Sequence, residues 1–510
     1  MYKIINITPK LINQEQIQGF GMENKRIINH PLNTILNPDS IAFVGASSDL
    51  SKPGALHLLS LIGTFKGKIY PIHPRERQIL GLRAYSSIKD LPEIVDLLVV
   101  MVPNASVPKL LMEAGEKGIK HAIIITAGYS EMGDKGQELQ KEINEIAHKY
   151  NIRFLGPNCI GAVNPENGLN TTFFAIKNSP GHLGIISQSG SFVTQTLHYF
   201  SKIGLGISKA ISVGNQANID VVDCLEYLGE DPNTHAIALY IEGIKRVRQF
   251  LEVSKKIVPK KPIIAVYAGG TQAGARASIS HTAALSGKDE LYDGLFKQAG
   301  IIRADSIIEL FDMGLVLSTQ PCLENNRIGI ITNSGGPGAC IADQCERQGL
   351  VVPQLSEDTQ KIISKITPSI SALKNPIDIT LSFDYELLIY KLPKILFERE
   401  DIGGIVIYGL FGPMHMRDKI NSVKHKIKEI PSQMVEFMHQ ICMQACDRLI
   451  ELKKRVNKPI ILSSLTGAED PPIKYLQENN IPVILGMKRA VLCLKALWDY
   501  NNIKKNIIQG

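Results

Sequence analysis

The sequence predicts an α/β protein of three doubly wound domains, and three observations carry that prediction. Apolar, β-branched runs alternate with amphipathic stretches along nearly the whole chain, the pattern of βαβ units with buried parallel strands. The length of 510 residues calls for about three cores at roughly 150 residues each. A G-I-I-(S/T)-x-S-G motif occurs twice, with Gly184 and Gly329, Ser189 and Ser334, and Gly190 and Gly335 at one constant offset, which marks a duplicated domain.

Taken in order, a polar extension (1–33) leads into a first, Rossmann-like domain (34–165). Its strands are expected at 40–45, 68–72, 96–103, 122–128 and 153–157, with helices over 107–118 and 133–150 between them. The second domain (166–322) opens with L-G-I-I-S-Q-S-G at 183–190 and the third (323–510) with I-G-I-I-T-N-S-G-G at 328–336. K-K-P-I-I-A-V-Y (260–267) and N-K-P-I-I-L-S-S (457–464) are later echoes of each other. A charge-mixed helical segment at about 414–456 reads as an insertion or interaction surface.

Composition narrows the classes. Hydrophobic residues at 44 %, charged residues at 21 % and 42 glycines fit a globular protein rich in strand-to-helix turns. No apolar run approaches the roughly 20 residues of a membrane helix, and M-Y-K-I-I-N-I-T-P-K lacks the apolar core of a secretory signal, so a cytoplasmic protein without membrane contact is expected. Eight scattered cysteines without a C-x-x-C pair indicate neither a zinc cage nor a disulfide framework. A net charge of +7 without a long basic block gives no support to nucleic-acid binding and suits small anionic ligands.

Five stretches carry candidate chemistry. V-G-A-S-S-D-L-S-K-P-G after the first strand, with Gly45, Ala46, Ser47 and Gly54, lets backbone N–H groups approach a pyrophosphate at a helix start. It is not G-x-G-x-x-G, and no Walker A motif exists; a ligand-free tight turn is the alternative. The second strand ends I-H-P-R, and His73 and Arg75 suit a phosphorylated ribose better than the acidic residue of a nicotinamide site. S-Q-S-G-S, with Ser187, Ser189, Gly190 and Ser191, opens a helix and makes an anion site, a plain serine N-cap being the alternative. Glu242 ends an otherwise apolar strand, where ligands of parallel sheets bind. His281 follows the glycine-rich run A-G-G-T-Q-A-G and stands in S-H-T-A-A-L-S-G. A lone loop histidine is usually ordinary. Beside an anion-binding helix start and a carboxylate that orients its imidazole, a transiently phosphorylated histidine is the economical hypothesis.

Read together, V-G-A-S with its P-G, Y-P-I-H-P, F-L-G-P-N-C-I-G, G-I-I-S-Q-S-G-S, S-V-G-N, the strand ending in Glu242, S-H-T-A-A-L-S-G and N-P-I-D-I-T are similar to the acyl-CoA synthetases that form a nucleoside diphosphate. The likeness covers about residues 34–490 and is greatest to the α subunit of ADP-forming acetate–CoA ligase; succinyl-CoA synthetase is more distant. The resemblance implies a CoA-binding first domain, with Gly45, Ala46, Ser47, Gly54, His73, Arg75, Val102, Pro103 and Asn104 at the CoA, followed by two flavodoxin-like domains. It implies catalysis by His281 steadied by Glu242, phosphate held at Ser187, Ser189, Gly190 and Ser191, and a substrate pocket with Asn158, Gly214 and Asn215. The implied reaction converts acyl-CoA, ADP and phosphate reversibly to carboxylate, ATP and CoA through an acyl phosphate and a phosphohistidine.

No ATP-grasp region is recognisable in the chain, so ADP or ATP with Mg2+ is expected mainly on a separate ATP-grasp β subunit in a hetero-oligomer. No resident metal site is indicated. The chain departs from the family at Ala283, where glycine is usual, and at Tyr267 and Gly270, where the family has a lysine and another basic residue. The alternatives are a succinyl- or other acyl-CoA ligase subunit of the same superfamily and a non-catalytic CoA-binding regulatory protein.

Overall fold

Three sheets follow one another along the chain, each built on a core of five parallel strands in the order 2-1-3-4-5. The computed structural model describes residues 30–174, 180–202, 205–274, 276, 287–380, 382–409, 422, 432–465, 467 and 470–509. The first sheet contains β1 (Ser40–Val44), β2 (Lys68–Ile72), β3 (Leu97–Val100), β4 (His121–Ile124) and β5 (Arg153–Leu155), ordered β2-β1-β3-β4-β5. Strands β1 and β3 consist wholly of buried residues, as a sheet covered by helices on both faces requires. The short helix Pro31–Leu36, which spans the expected boundary at residue 34, buries Leu32, Ile35 and Leu36 fully.

The second sheet has two strands that the sequence reading missed. The hairpin β6 (Ala162–Asn164) and β7 (Leu169–Asn170) joins β8 (Pro180–Ser187), β9 (Ile207–Ser212), β10 (Ala236–Ile241), β11 (Ile263–Tyr267) and β12 (Ile302–Arg303) in the order β12-β11-β10-β8-β9-β6-β7. Strand β6 pairs antiparallel with β9, Val163 opposite Ala210, so the second sheet recruits chain from before residue 166. The third sheet contains β13 (Ile328–Thr332), β14 (Ile377–Asp378), β15 (Gly404–Tyr408), β16 (Ile460–Ser464) and β17 (Val483–Leu485), ordered β14-β13-β15-β16-β17. Of the expected insertion, residues 432–455 form one helix, and residues 414–421 and 423–431 lie outside the described residues.

The third domain is fastened to the second by its C-terminal helix Met487–Gln509, which packs on helix Ile307–Thr319. Arg489 grips the buried Asp312 through Nε at 2.6 Å and Nη2 at 2.8 Å, and Tyr500 donates its hydroxyl to the Val258 carbonyl at 2.9 Å. One apolar core runs from one face of the first sheet through the second domain to this helix and the face of the third sheet that carries Ile328, Ile330, Val406 and Ile461, whereas the other faces of the first and third sheets have cores of their own. Among the described residues no helix is long and apolar enough to cross a membrane, and six of the eight cysteines are buried free thiols.

Candidate active site at the seam of the first and second domains

The residues expected at CoA all lie at the carboxyl ends of the first sheet. In the order 2-1-3-4-5 the strand order reverses between β1 and β3, and the loops leaving these two strands flank the crevice where such sheets bind ligands. Gly45 ends β1 at φ +96°, and a Cβ there would lie 1.9 Å from the Met101 carbonyl oxygen. A Cβ on Gly54 would lie 2.1 Å from the Gly45 oxygen. Only glycine at both positions lets the loop fold this closely onto the start of α1 (Pro53–Thr64).

Ala46 and Ser47 are buried, and the Ser47 hydroxyl accepts the Asp49 N–H at 3.1 Å. His73 Nδ1 accepts the N–H groups of Arg75 and Glu76 at 3.3 and 3.0 Å, so His73 shapes the turn that presents the exposed Arg75. Val102 bonds Thr126 through both its N–H and its carbonyl, and Pro103 is exposed. Asn104 donates to the Gly128 carbonyl at 2.8 Å and accepts the Ala105 N–H at 2.8 Å, which makes it a fastener of the β3 and β4 loops.

In the second domain, S-Q-S-G-S forms the turn between β8 and α2 (Gly190–Lys202). The Ser187 hydroxyl donates to the Ser189 carbonyl at 2.8 Å and accepts the Ser189 N–H at 3.0 Å, closing the turn on itself. Ser189 Oγ accepts the Phe192 N–H at 3.4 Å and lies 3.1 Å from Ser191 Oγ, so Ser189 acts as the helix N-cap. The half-buried Gly190 and the exposed Ser191 form the first turn, whose N–H groups carry the positive end of the helix dipole. Gln188 is buried. Its Oε1 accepts the N–H groups of Glu242 and Gly243, the latter at 2.9 Å, and its Nε2 donates to the Gly243 carbonyl at 2.5 Å. The helix start and the carboxylate at the end of β10 are thereby tied together.

Glu242, 4 % exposed, faces a cavity of about 840 Å³ between the first two domains. The second domain contributes Gln188, Glu242, Lys245 and the Gly214–Gln216 turn, and the first contributes Ser130 and one face of α3 (Asp134–Tyr150), including Gln137 and Gln140. Lys245 donates to the carbonyls of Asn215 and Gln216 at 2.8 and 2.9 Å, and burial lowers its pKa. Asn158 Nδ2 donates to Asn215 Oδ1 at 3.2 Å, so the three expected pocket residues meet: Asn158, Gly214 and Asn215. Gly214 has φ +53°, and its Cβ would meet the Pro157 oxygen at 2.3 Å. Next to the cavity, burial pushes the Asp220 carboxyl up, but the two-pronged Arg246 guanidinium and backbone N–H bonds together hold it below its usual range.

His281 and Ala283 lie outside the described residues. The segment that carries them leaves β11 and re-enters at Gly287, whose carbonyl accepts the Tyr267 hydroxyl at 2.8 Å. Tyr267 stacks on Tyr292 with ring centroids 3.7 Å apart, and a Cβ on Gly270 would lie 2.2 Å from the Asp289 carboxylate. The departures at Tyr267 and Gly270 therefore take packing roles beside that segment. Sequence reasoning missed Gln137, Gln140, Gln188 and Lys245. Lys245 had one signal, its place three residues after Glu242; the polar face of α3 reads like any solvated helix face.

Residues 39–165 match the family described as a CoA binding domain, and residues 180–317 match the succinyl-CoA ligase like flavodoxin domain. Over 405 residues the chain is 40 % identical to the α subunit of acetate–CoA ligase [ADP-forming] II of Pyrococcus furiosus, covering 78 % of this chain and 87 % of that one. The α subunit of the I enzyme of the same organism is 34 % identical over 93 % of this chain and 98 % of its own length. The chain belongs to the ADP-forming acetate–CoA ligase family. A dinucleotide-forming acetyl-coenzyme A synthetase 1 from Ca. Korarchaeum cryptofilum, solved with phosphate and ADP, superposes with a TM-score of 0.80 at 32 % identity, covering 94 % of this chain and 98 % of that one. An acetate–CoA ligase [ADP-forming] of Methanocaldococcus jannaschii is 38 % identical over 93 % of this chain, which spans only 64 % of its length. The family thus contains both separate α subunits and longer single chains.

Proposed function

We propose that the chain is the α subunit of an ADP-forming acyl-CoA synthetase, with acetyl-CoA as the reference substrate. CoA lies along the carboxyl ends of β1, β2 and β3, its phosphates near Gly45, Gly54 and Arg75 and its thioester in the cavity at the domain seam. A phosphate oxygen attacks the thioester carbonyl, the C–S bond breaks, and CoA leaves with the proton, giving an acyl phosphate. The neutral imidazole of His281 then attacks phosphorus and the carboxylate departs. Lys245 and the first turn of α2 stabilise the phosphate charge, and Glu242 orients the imidazole. An ATP-grasp β subunit, cytoplasmic like this chain, receives the phosphoryl group on ADP and holds the nucleotide with its Mg2+.

The observation that carries the reading is the convergence of Glu242, Gln188 and Lys245 from the second domain with α3 of the first around one cavity. The two Pyrococcus furiosus relatives named as α subunits support a second polypeptide. The test is reconstitution: the purified chain with an ATP-grasp subunit, acetyl-CoA, ADP and phosphate must form ATP, while either protein alone must not. ATP formation at full rate by the chain alone refutes the two-subunit reading; none with any acyl-CoA and any such partner refutes the synthetase reading.

A further inference from the structure

Glu131 belongs to the first domain, yet its carboxylate is shared with the second. Its Oε1 accepts the Gly128 N–H at 2.6 Å, and its Oε2 accepts a hydrogen bond from Asn215 Nδ2 at 2.5 Å. Gly128 is held from its other side by Asn104, whose Nδ2 donates to the Gly128 carbonyl at 2.8 Å. The Asn215 carbonyl in turn accepts Lys245 Nζ at 2.8 Å. One chain of hydrogen bonds therefore runs from the loop after β3, through Gly128, Glu131 and Asn215, to the cation that lines the cavity with Glu242.

The residue types are matched to this task. Both protons of the Asn215 amide find acceptors in the first domain, Glu131 at 2.5 Å and Gln140 Oε1 at 3.2 Å, while its oxygen takes the Asn158 amide. An ionised carboxylate offers acceptors on both oxygens and can take one bond from each domain at once; such charge-assisted bonds are roughly twice as strong as neutral ones. A glutamine at 131 would turn its NH2 toward another donor. Asn215 is 5 % exposed, so a lost partner leaves a buried amide proton unsatisfied.

We infer that Glu131 is a positioning residue that couples the CoA-binding domain to the reacting end of the site, an inference that rests on the synthetase reading. It fixes the Gly214–Gln216 wall against α3 and so sets where the thioester carbonyl meets phosphate. Its removal slows the chemistry and leaves the binding of CoA unchanged.

The test incubates the full-length chain with radiolabelled phosphate and varied acetyl-CoA and follows acid-labile label on the protein. Glu131→Gln is expected to lower the saturating rate by about tenfold, the scale of a small misplacement of reacting groups, with half-saturating acetyl-CoA within about twofold of wild type. Glu131→Gln combined with Asn215→Asp exchanges donor and acceptor and should recover the rate to within about threefold. A wild-type rate in Glu131→Gln, a parallel change of rate and half-saturation, or a double variant no faster than the single one overturns the inference. If melting shows Glu131→Gln to be unfolded, Asn215→Ala, which leaves Gly128 anchored, is judged by the same rate and half-saturation. A wild-type chain that takes up no label overturns the synthetase reading and this inference with it.

Discussion

The second and third domains share a scaffold and differ at one strand end. In the second, the Ser187 hydroxyl donates to the Ser189 carbonyl and accepts its N–H; in the third, Thr332 does the same for Ser334, at 2.9 and 3.0 Å. The next residue crosses to the neighbouring strand in both: Gln188 to Gly243, and the shorter Asn333 to Gly409 at 3.2 Å. Ser187 pairs with Tyr240, and Thr332 with Tyr408, so in the sequence the counterpart of Glu242 is Leu410, which lies outside the described residues. The third domain also places a carboxylate at its helix start, since a Cβ on Gly335 would lie 3.1 Å from Asp378 Oδ2. The lesson is that the hydrogen-bonded turn is a structural frame common to both copies, and the copies differ in what stands at the strand end beside it: a carboxylate facing a cavity in one and, by sequence, a leucine in the other.

Five changes would break or sharpen this comparison. Glu242→Gln should lower turnover roughly 10- to 100-fold, the range for losing a carboxylate that orients an active imidazole, with an unchanged melting profile; Leu410→Gln should leave turnover alone. Arg489→Ala should destabilise the chain by about 3 kcal/mol in denaturant titration, because the Asp312 carboxylate stays buried without its guanidinium. Gln188→Ala and Asn333→Ala should each cost about 1–3 kcal/mol through unpaired backbone groups, yet only Gln188→Ala should reduce turnover. Equal loss of activity in both would erase the distinction between the copies.

The smallest effect concerns pH. His57 is 1 % exposed at the seam of the first two domains, with Nδ1 2.6 Å from the Thr171 carbonyl, and burial lowers its pKa below the ordinary 6.5. The unfolded chain then binds the proton more tightly, so this contribution to stability is full above the unfolded pKa and is lost as pH falls below about 6.5. His57→Gln should flatten the fall of melting temperature between pH 7.5 and 5.5 relative to wild type. A steeper fall in the variant would contradict the assignment.

Much of this frame was legible in the sequence because buried parallel strands read as continuous apolar runs: 68–72 was expected and observed as β2, and the paired motifs announced the duplication. The hairpin β6–β7 was not legible, since strands of three and two residues carry no periodicity. The CoA loop and Glu242 could be placed at strand ends, where chain order and parallel pairing put them. The cavity could not, because it forms only when the polar face of α3 meets the Gly214–Gln216 turn, and Gln137 and Gln140 look no different in sequence from solvated residues. Ser187, expected at phosphate, spends its hydroxyl on its own turn, a local bond that competes with ligand contact and leaves no mark on the pattern.

The central claim is that the second domain carries a phosphoryl group on histidine while its duplicate does not. The most direct measurement is incubation of the chain with acetyl-CoA and radiolabelled phosphate, followed by peptide mapping of acid-labile label. Label confined to the peptide containing His281 and lost in His281→Ala is the predicted result. Label that persists in His281→Ala, or that maps to the third domain, would contradict it.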